Sequence, residues 1–156
     1  MPEQANLKPV LTVGEVNELL AEVYPQLTEH YNFYEALDVF PGGCTVRLNA
    51  DDRHLRPGGT VSGPSMFGLA DVAIYLAILS RIGPVALAVT TGATIDFLRK
   101  PEAGADLLAE TRLLKLGRRL AVGEALLFSE GQVAPVARAS MTYSIPPGAA
   151  QGAAPV

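Results

Sequence analysis

The chain has little of the residues that build metal sites and covalent cross-links. Among its 156 residues there is one cysteine, Cys44, and there are two histidines, His30 and His54. A single cysteine cannot form an internal disulfide, and these three side chains do not give a ligand set with the spacing of a zinc site. We therefore expect no metal and no separate cofactor.

An excess of charge of either sign is also missing. Charged residues make up 18% of the chain, hydrophobic residues make up 49%, and the formal net charge is -4. This composition argues against a basic nucleic-acid-binding face and against an acidic disordered protein, so nucleic acid is not an expected partner. The length allows one well-buried core and is too short for two ordinary domains.

The beginning of the chain, MPEQANLKPV, lacks the basic region and the apolar run of a secretory signal. Residues 64–80 are too short and too interrupted for a membrane span. We expect a cytoplasmic protein that has no membrane partner. Within it, residues 1–10 are expected to be flexible, residues 11–146 to form a single domain, and the low-complexity tail 147–156 to be disordered.

Hydrophobic periodicity and turn residues predict two helices and six strands. Thr12 followed by Glu15 makes a capping box ahead of an apolar stripe, which predicts a helix over 13–24. Ser-Gly-Pro at 62–64 predicts the start of a second helix, which is apolar on every face and ends near Ser80. Strands are predicted at 33–40, 43–49, 86–98, 105–116, 119–129 and 133–145. Short links between the last four strands predict an antiparallel meander.

The second helix indicates the architecture. A helix that is apolar on every face has no side suited to water and must be covered all round, while a sheet needs a cover on at least one face. We therefore expect an α+β fold in which a curved antiparallel sheet wraps around the long central helix.

Asp71 is the only charged residue between Arg56 and Arg81, and it lies in the middle of this helix. A carboxylate in apolar surroundings must find compensating hydrogen bonds or bind a proton, because an unpaired buried charge is costly. Asp71 is therefore the leading functional candidate. The alternative is an aspartate at the surface, or one that accepts hydrogen bonds from nearby backbone, with no role in chemistry.

Three segments resemble a known family: GPSMFGLAD at 63–71, ATIDFLRKP at 93–101 and the turn KLGRR at 115–119. Over residues 33–145 the chain resembles the hotdog-fold acyl-CoA thioesterases, and within them most of all the phenylacetate-pathway type. The resemblance implies the hotdog fold, an acyl-CoA substrate whose coenzyme A is part of the substrate, and a homodimer or homotetramer with the site at a subunit interface.

In that family a His-Gly-Gly triplet precedes the helix, and a carboxylate nine residues after the His is the general base or the nucleophile. The matching positions here are Ser62, Gly63, Pro64 and Asp71, so the resemblance assigns to the Gly63 N–H the task of polarising the thioester carbonyl. Arg56 occupies the place of the family's Asn or Gln. Since an arginine cannot accept a hydrogen bond from water, it would hold the carboxylate ionised, grip an anionic acyl group, or be a solvated loop residue.

Further polar side chains are candidates for contact with the substrate. Tyr75 stands where some relatives carry a helping Thr, and it either supplies a hydroxyl or fills the core. Ser62, Ser65, Thr90 and Thr91 are candidates to hold water or substrate, although serines at a helix start are most often caps. The coenzyme A phosphates need a cationic patch, expected at neighbouring strand ends and formed by Arg99, Lys100, Lys115, Arg118 and Arg119.

Three alternatives stay open. A non-hydrolytic acyl-CoA or small-ligand binding protein with the same fold would explain the missing His and amide. A hydratase or dehydratase would pair Asp71 with a histidine, which would have to be His54. A structural oligomerisation module predicts that Asp71→Asn changes nothing except stability.

Overall fold

The computed structural model describes residues 8–28 and 33–147. Within these ranges the chain forms two α-helices, two short 3₁₀ turns and six β-strands. They are α1 (Val13–Val23), β1 (Tyr34–Phe40), β2 (Gly43–Leu48), α2 (Gly63–Ile82), β3 (Val89–Phe97), β4 (Leu107–Leu116), β5 (Leu120–Ser129) and β6 (Pro135–Ser144), with 3₁₀ turns at Pro25–Leu27 and Asp52–His54. All eight predicted elements are confirmed to within a few residues. The predictions for residues 1–7 and 148–156 lie outside the described residues.

The strands form one antiparallel sheet in the order β1-β2-β4-β5-β6-β3. β1 and β2 make the predicted hairpin, and Gly42 in its turn has a positive φ of 81°, a conformation that glycine adopts without strain. The sheet curves around α2, which confirms the predicted α+β architecture.

The predicted meander of the last four strands is wrong at its first step. β3 pairs with β6 and not with β4, and β4 pairs with β2. The link 98–106 crosses from the edge of the sheet to its middle. Its residues can reach roughly 30 Å when extended, whereas three strand spacings amount to about 14 Å. A link of this length therefore does not require that the strands it joins be neighbours.

α2 is the centre of the core. Its side chains from Val72 to Ser80 are all buried, and Gly123 on β5 lets the sheet approach, because a Cβ there would lie 2.8 Å from Cγ2 of Ile74. By length and composition Gly63–Ile82 could cross a membrane, but 67% of its apolar window is buried inside the protein. The surrounding sheet accounts for the apolar composition of the helix.

The first turns of α2 depart from the expectation that no face of the helix is exposed. Pro64 and Phe67 are exposed, and Asp71 is half-buried further along the same side of the helix. Beside them runs the edge strand β3, on which Val89 is 57% and Phe97 is 53% exposed. An apolar surface around β3 and the start of α2 is therefore left open in the single chain.

α1 is tied to the sheet at several points. The predicted capping box is present, with Thr12 and Glu15 each accepting from the other's backbone N–H. The Asn17 side-chain amide both donates to and accepts from the backbone of Ala36 on β1, at 3.0 and 2.8 Å. Just before the helix, the Val10 N–H donates to the Ser80 carbonyl at 2.7 Å. These contacts fix where the C-terminal end of α1 lies.

Candidate active site

The carboxylate of Asp71 finds the hydrogen bonds that its position in an apolar helix demands. Its Oδ1 accepts from the Thr90 hydroxyl at 2.6 Å and from the Tyr143 hydroxyl. Tyr143 also donates to the backbone carbonyl of Asp71 at 2.6 Å. Oδ2 accepts from no side chain or backbone group among the described residues. One oxygen is thus held and the other is available.

Tyr143 is a partner that the sequence analysis missed. It lies on β6, where alternate residues face the core, and its side chain is 1% exposed. Burial, followed by the negative charge of Asp71, raises the pKa of the Tyr143 hydroxyl, so it stays protonated and can donate. The alternation along β6 indicates that Tyr143 is buried, but it does not indicate which residue of α2 it meets.

A cavity of about 360 Å³ opens beside this carboxylate. Its lining residues come from α2, the loop before β3, β3 itself, β6 and the end of α1: Asp71, Val72, Tyr75, Ala86, Ala88, Val89, Thr90, Tyr143, Val23, Tyr24 and Gln26. The Tyr75 hydroxyl donates to the Ala86 carbonyl at 2.9 Å and so ties this loop to the helix. The structure therefore brings Asp71, Tyr75 and Thr90 together, and the Tyr75 ring forms part of the cavity wall.

At the start of α2 the two serine candidates form the helix cap. The Ser65 N–H donates to Ser62 Oγ at 3.3 Å, and the Ser62 hydroxyl donates to Ser65 Oγ at 3.0 Å. Pro64 has no N–H. The N–H of Gly63 donates to nothing within the described ranges, so it is the free donor of this helix start. The Phe97 ring covers Gly63, at 3.2 Å from the place of a Cβ.

A second cavity, of about 440 Å³, lies at this end of the helix. Gly63, Arg56, Arg99 and Lys100 all line it, together with Phe97. Arg56 therefore faces the helix start and does not line the cavity of Asp71, so within one chain it is not the group that holds that carboxylate ionised. The structure gathers three cationic residues around the free N–H instead.

The two candidate catalytic groups are far apart within one chain. Gly63 and Asp71 lie about 12 Å apart along α2, because each helical residue adds 1.5 Å. A single thioester carbonyl cannot reach both. Each chain therefore presents two half-sites, one with a carboxylate and one with a free N–H.

The two groups of cationic residues also lie apart in the single chain, and the expectation of neighbouring strand ends is wrong there. The 115–119 turn follows β4 and lies at the C-terminal end of β6, where the Ile145 N–H donates to the Arg119 carbonyl at 2.8 Å. Arg99 lies at the other end of β6, where its Nε donates to the Pro135 carbonyl at 2.8 Å. A ten-residue strand separates these ends by about 30 Å.

Two further candidates do not contact Asp71. Thr91 lies at an irregularity in the pairing of β3 with β6, is exposed, and donates to the Thr142 carbonyl at 3.4 Å. Thr90 faces the helix, where its hydroxyl donates to Asp71, whereas Thr91 is exposed. His54 accepts from the Asp51 N–H at 3.0 Å and packs edge-on against Phe33, and it lines neither cavity. The hydratase alternative therefore has no histidine beside Asp71 in the described part of the chain.

An antiparallel sheet wrapped around a buried helix, with a carboxylate in mid-helix facing a cavity, defines a hotdog-fold protein. The family model described as Thioesterase superfamily matches residues 58–143. A crystal structure from Silicibacter sp. TM1040, provisionally named a thioesterase, is 56% identical, has a TM-score of 0.83, and the match covers 91% of this chain and 96% of that one. The chain belongs to the thioesterase superfamily.

Two more distant relatives agree with this membership. A Pseudomonas aeruginosa protein provisionally named an esterase is 36% identical over 101 residues, which cover 65% of this chain and 74% of that protein. A mutant structure of the phenylacetic acid degradation protein PaaI from Thermus thermophilus is 30% identical with a TM-score of 0.65, covering 78% of this chain and 99% of that one. Together these relatives support a thioesterase, and hence a hydrolase.

Proposed function

We propose that the protein hydrolyses an acyl-CoA thioester at sites shared between two copies of the chain. The observation that carries this proposal is the Asp71 carboxylate, which is held at Oδ1 by Thr90 and Tyr143 and has Oδ2 free beside a cavity of about 360 Å³. Membership of the thioesterase superfamily supports the type of reaction. A cytoplasmic location and the absence of a further cofactor belong to the same proposal.

In the general-base route, Oδ2 of Asp71 takes a proton from water while the water oxygen bonds to the thioester carbon. The oxyanion that forms accepts a hydrogen bond from the Gly63 N–H, and the positive end of the α2 dipole adds to this stabilisation. When the C–S bond breaks, the thiolate recovers the proton from Asp71. The products are the free acid and the coenzyme A thiol.

In the nucleophilic route, Oδ2 itself bonds to the thioester carbon, the C–S bond breaks, and the thiolate takes a proton from water. The hydroxide that remains attacks the acyl carbon of the mixed anhydride, which releases the free acid and restores the carboxylate. Both routes use the same free oxygen of Asp71 and the same N–H of Gly63, so the assignment of these two groups does not depend on which route operates.

The separation of the half-sites supports a site between two chains. Asp71 and Thr90 belong to one end of β3, whereas Gly63 is covered by Phe97 at the other end. If the edge strands β3 of two copies pair antiparallel about a twofold axis, each end meets the opposite end of its partner. The carboxylate of one copy then faces the free N–H of the other, and the exposed apolar surface around Phe67 is covered.

The same pairing supports one cationic patch for the coenzyme A phosphates. Arg99 and Lys100 follow the end of β3, while Lys115, Arg118 and Arg119 lie near its beginning. Antiparallel pairing of two β3 strands brings the first group of one copy towards the second group of the other. Arg56 adds a charge beside Gly63, where it can bind a phosphate or an anionic acyl group.

The test is the release of free thiol from a panel of short, medium, long and aromatic acyl-CoAs. We expect turnover by the wild type and a fall of at least about a hundredfold in Asp71→Asn, as for a lost general base. The matched control is Asp52→Asn, which neutralises an exposed carboxylate on the 3₁₀ turn Asp52–His54. Asp52 lines neither of the two cavities, so this variant should keep wild-type activity. Acyl-CoA that binds without turnover would contradict the proposal and favour the non-hydrolytic binding protein.

A further inference from the structure

Two hydroxyl groups on neighbouring strands converge on one oxygen of Asp71. Thr90 on β3 and Tyr143 on β6 stand directly opposite each other in the sheet, so their side chains point to the same face, towards α2. Both donate to Oδ1, and neither donates to Oδ2. The geometry distinguishes the two oxygens of one carboxylate.

Tyr143 also restrains the orientation of the carboxylate. Its hydroxyl bonds both to Oδ1 and to the backbone carbonyl of Asp71, so one group bridges the side chain and the main chain of the same residue. Rotation of the carboxylate would break the bond to Oδ1, while the bond to the main-chain carbonyl would hold the hydroxyl in place. Because the ring is buried between β6 and α2, the hydroxyl cannot follow such a rotation.

We propose that Tyr143 is a positioning residue that, with Thr90, fixes Oδ1 of Asp71 and thereby makes Oδ2 the oxygen that reacts. This inference rests on the proposed thioester hydrolysis and adds which oxygen acts and which side chain selects it. Tyr143 does not touch the thioester in this scheme. It acts through the carboxylate.

Within one chain, hydroxyl groups are the polar neighbours of the Asp71 carboxylate among the described residues. The groups that face it are Thr90 from β3, Tyr143 from β6, Tyr75 from its own helix, Tyr34 from β1 and Tyr24 from the end of α1. No lysine, arginine or histidine lines this cavity within the described residues. Burial is the main cause that raises the pKa of Tyr34, with smaller contributions from Tyr24 and Asp71, so this phenol stays neutral too. Among the described residues of one chain, the carboxylate is therefore contacted by hydroxyl donors alone.

The decisive variant is Tyr143→Phe, which keeps the ring and removes only the hydroxyl. Without this hydroxyl the carboxylate keeps one donor to Oδ1 and is less well oriented, so Oδ2 is presented to the thioester less often. We expect kcat to fall by about tenfold through lost orientation, with KM nearly unchanged.

The matched control is Tyr34→Phe, which removes a half-buried phenol near Asp71 that makes no hydrogen bond to it. Its kcat should stay close to the wild-type value. Thr90→Val removes the second donor to Oδ1 and, like Tyr143→Phe, should lower kcat with KM nearly unchanged. If Tyr143→Phe does not fold, as judged by circular dichroism, the comparison of Thr90→Val with Tyr34→Phe decides the question.

Three contrary outcomes are distinguishable. An active wild type whose kcat is unchanged in both Tyr143→Phe and Thr90→Val would overturn the positioning role and leave thioester hydrolysis intact. A loss expressed only in KM would overturn it as well, because it would indicate contact with the substrate. A wild type without turnover on the acyl-CoA panel would overturn the proposed function and the positioning role together.

Discussion

At the start of α2, the sequence and the packing leave one backbone N–H free within the described residues, that of Gly63. A Ser cap uses the Ser65 N–H, Pro64 has none to offer, and the Gly63 N–H is left over at the positive end of α2. The Phe97 ring lies close enough that any Cβ at position 63 meets it at 3.2 Å. The helix start is thus reduced to one free donor, which lies beside the Phe97 ring and among three cationic residues and can stabilise an oxyanion.

Two substitutions at position 63 distinguish the role of the N–H from the effect of packing against Phe97. Gly63→Pro removes the N–H at a helix position where proline is tolerated, and we expect kcat to fall by roughly a hundredfold to a thousandfold. Gly63→Ala keeps the N–H and introduces the same contact with Phe97, so we expect a clearly smaller fall. Thiol release measured for both variants checks this. Equal losses would mean that packing against Phe97, and not the N–H, limits the rate.

Among the elements, α1 has a part in the cavity that the matched family region does not include. Its C-terminal end and the following 3₁₀ turn supply Val23, Tyr24 and Gln26 to the lining, and they lie outside residues 58–143. Asn17 fixes the helix to β1 through its two hydrogen bonds to Ala36. A wall anchored in this way is rigid, so under the proposed function it limits which acyl groups fit.

We expect Tyr24→Ala to change the acyl preference. Tyr24 is 42% exposed, so its removal enlarges the cavity at little cost to stability, and kcat/KM for bulky acyl groups should rise about tenfold relative to acetyl. The measurement is kcat/KM over a series of acyl-CoAs of increasing size. Val13→Ala, at the other end of the same helix and away from the cavity, is the control. A change by the same factor for every acyl group would contradict the idea of a selective wall.

The helices and strands also show which features of the structure can be predicted from the sequence. Periodicity and caps are enough to predict α1, α2 and all six strands, because these signals are local. Local signals do not predict the order of the strands, because the 98–106 link is long enough to cross the sheet. The hydrogen-bond partner of Asp71 is also a long-range feature. Tyr143 meets Asp71 through the packing of β6 against α2, and no local pattern in the sequence encodes that contact.

For the molecule as a whole, the features that a second copy of the chain would complete lie on one side of the single chain. The open edge of β3, the exposed Phe67 and Phe97, and the two half-sites at opposite ends of β3 all lie around the same strand. A twofold pairing of β3 strands would cover the apolar surface and join the half-sites at once. Under the proposed function, oligomerisation is a condition of catalysis, since neither chain alone offers both a base and an oxyanion donor to one carbonyl.

Mixing two inactive variants tests this condition. Asp71→Asn lacks the base and Gly63→Pro lacks the donor, so each homodimer has two defective sites. If a site takes Asp71 from one copy and Gly63 from the other, a mixed dimer has one site with both defects and one intact site. Equal mixing with free exchange should then restore about a quarter of wild-type activity, because about half of the dimers are mixed. If both groups acted within one chain, every site would keep one defect, and the mixture would be as inactive as its components.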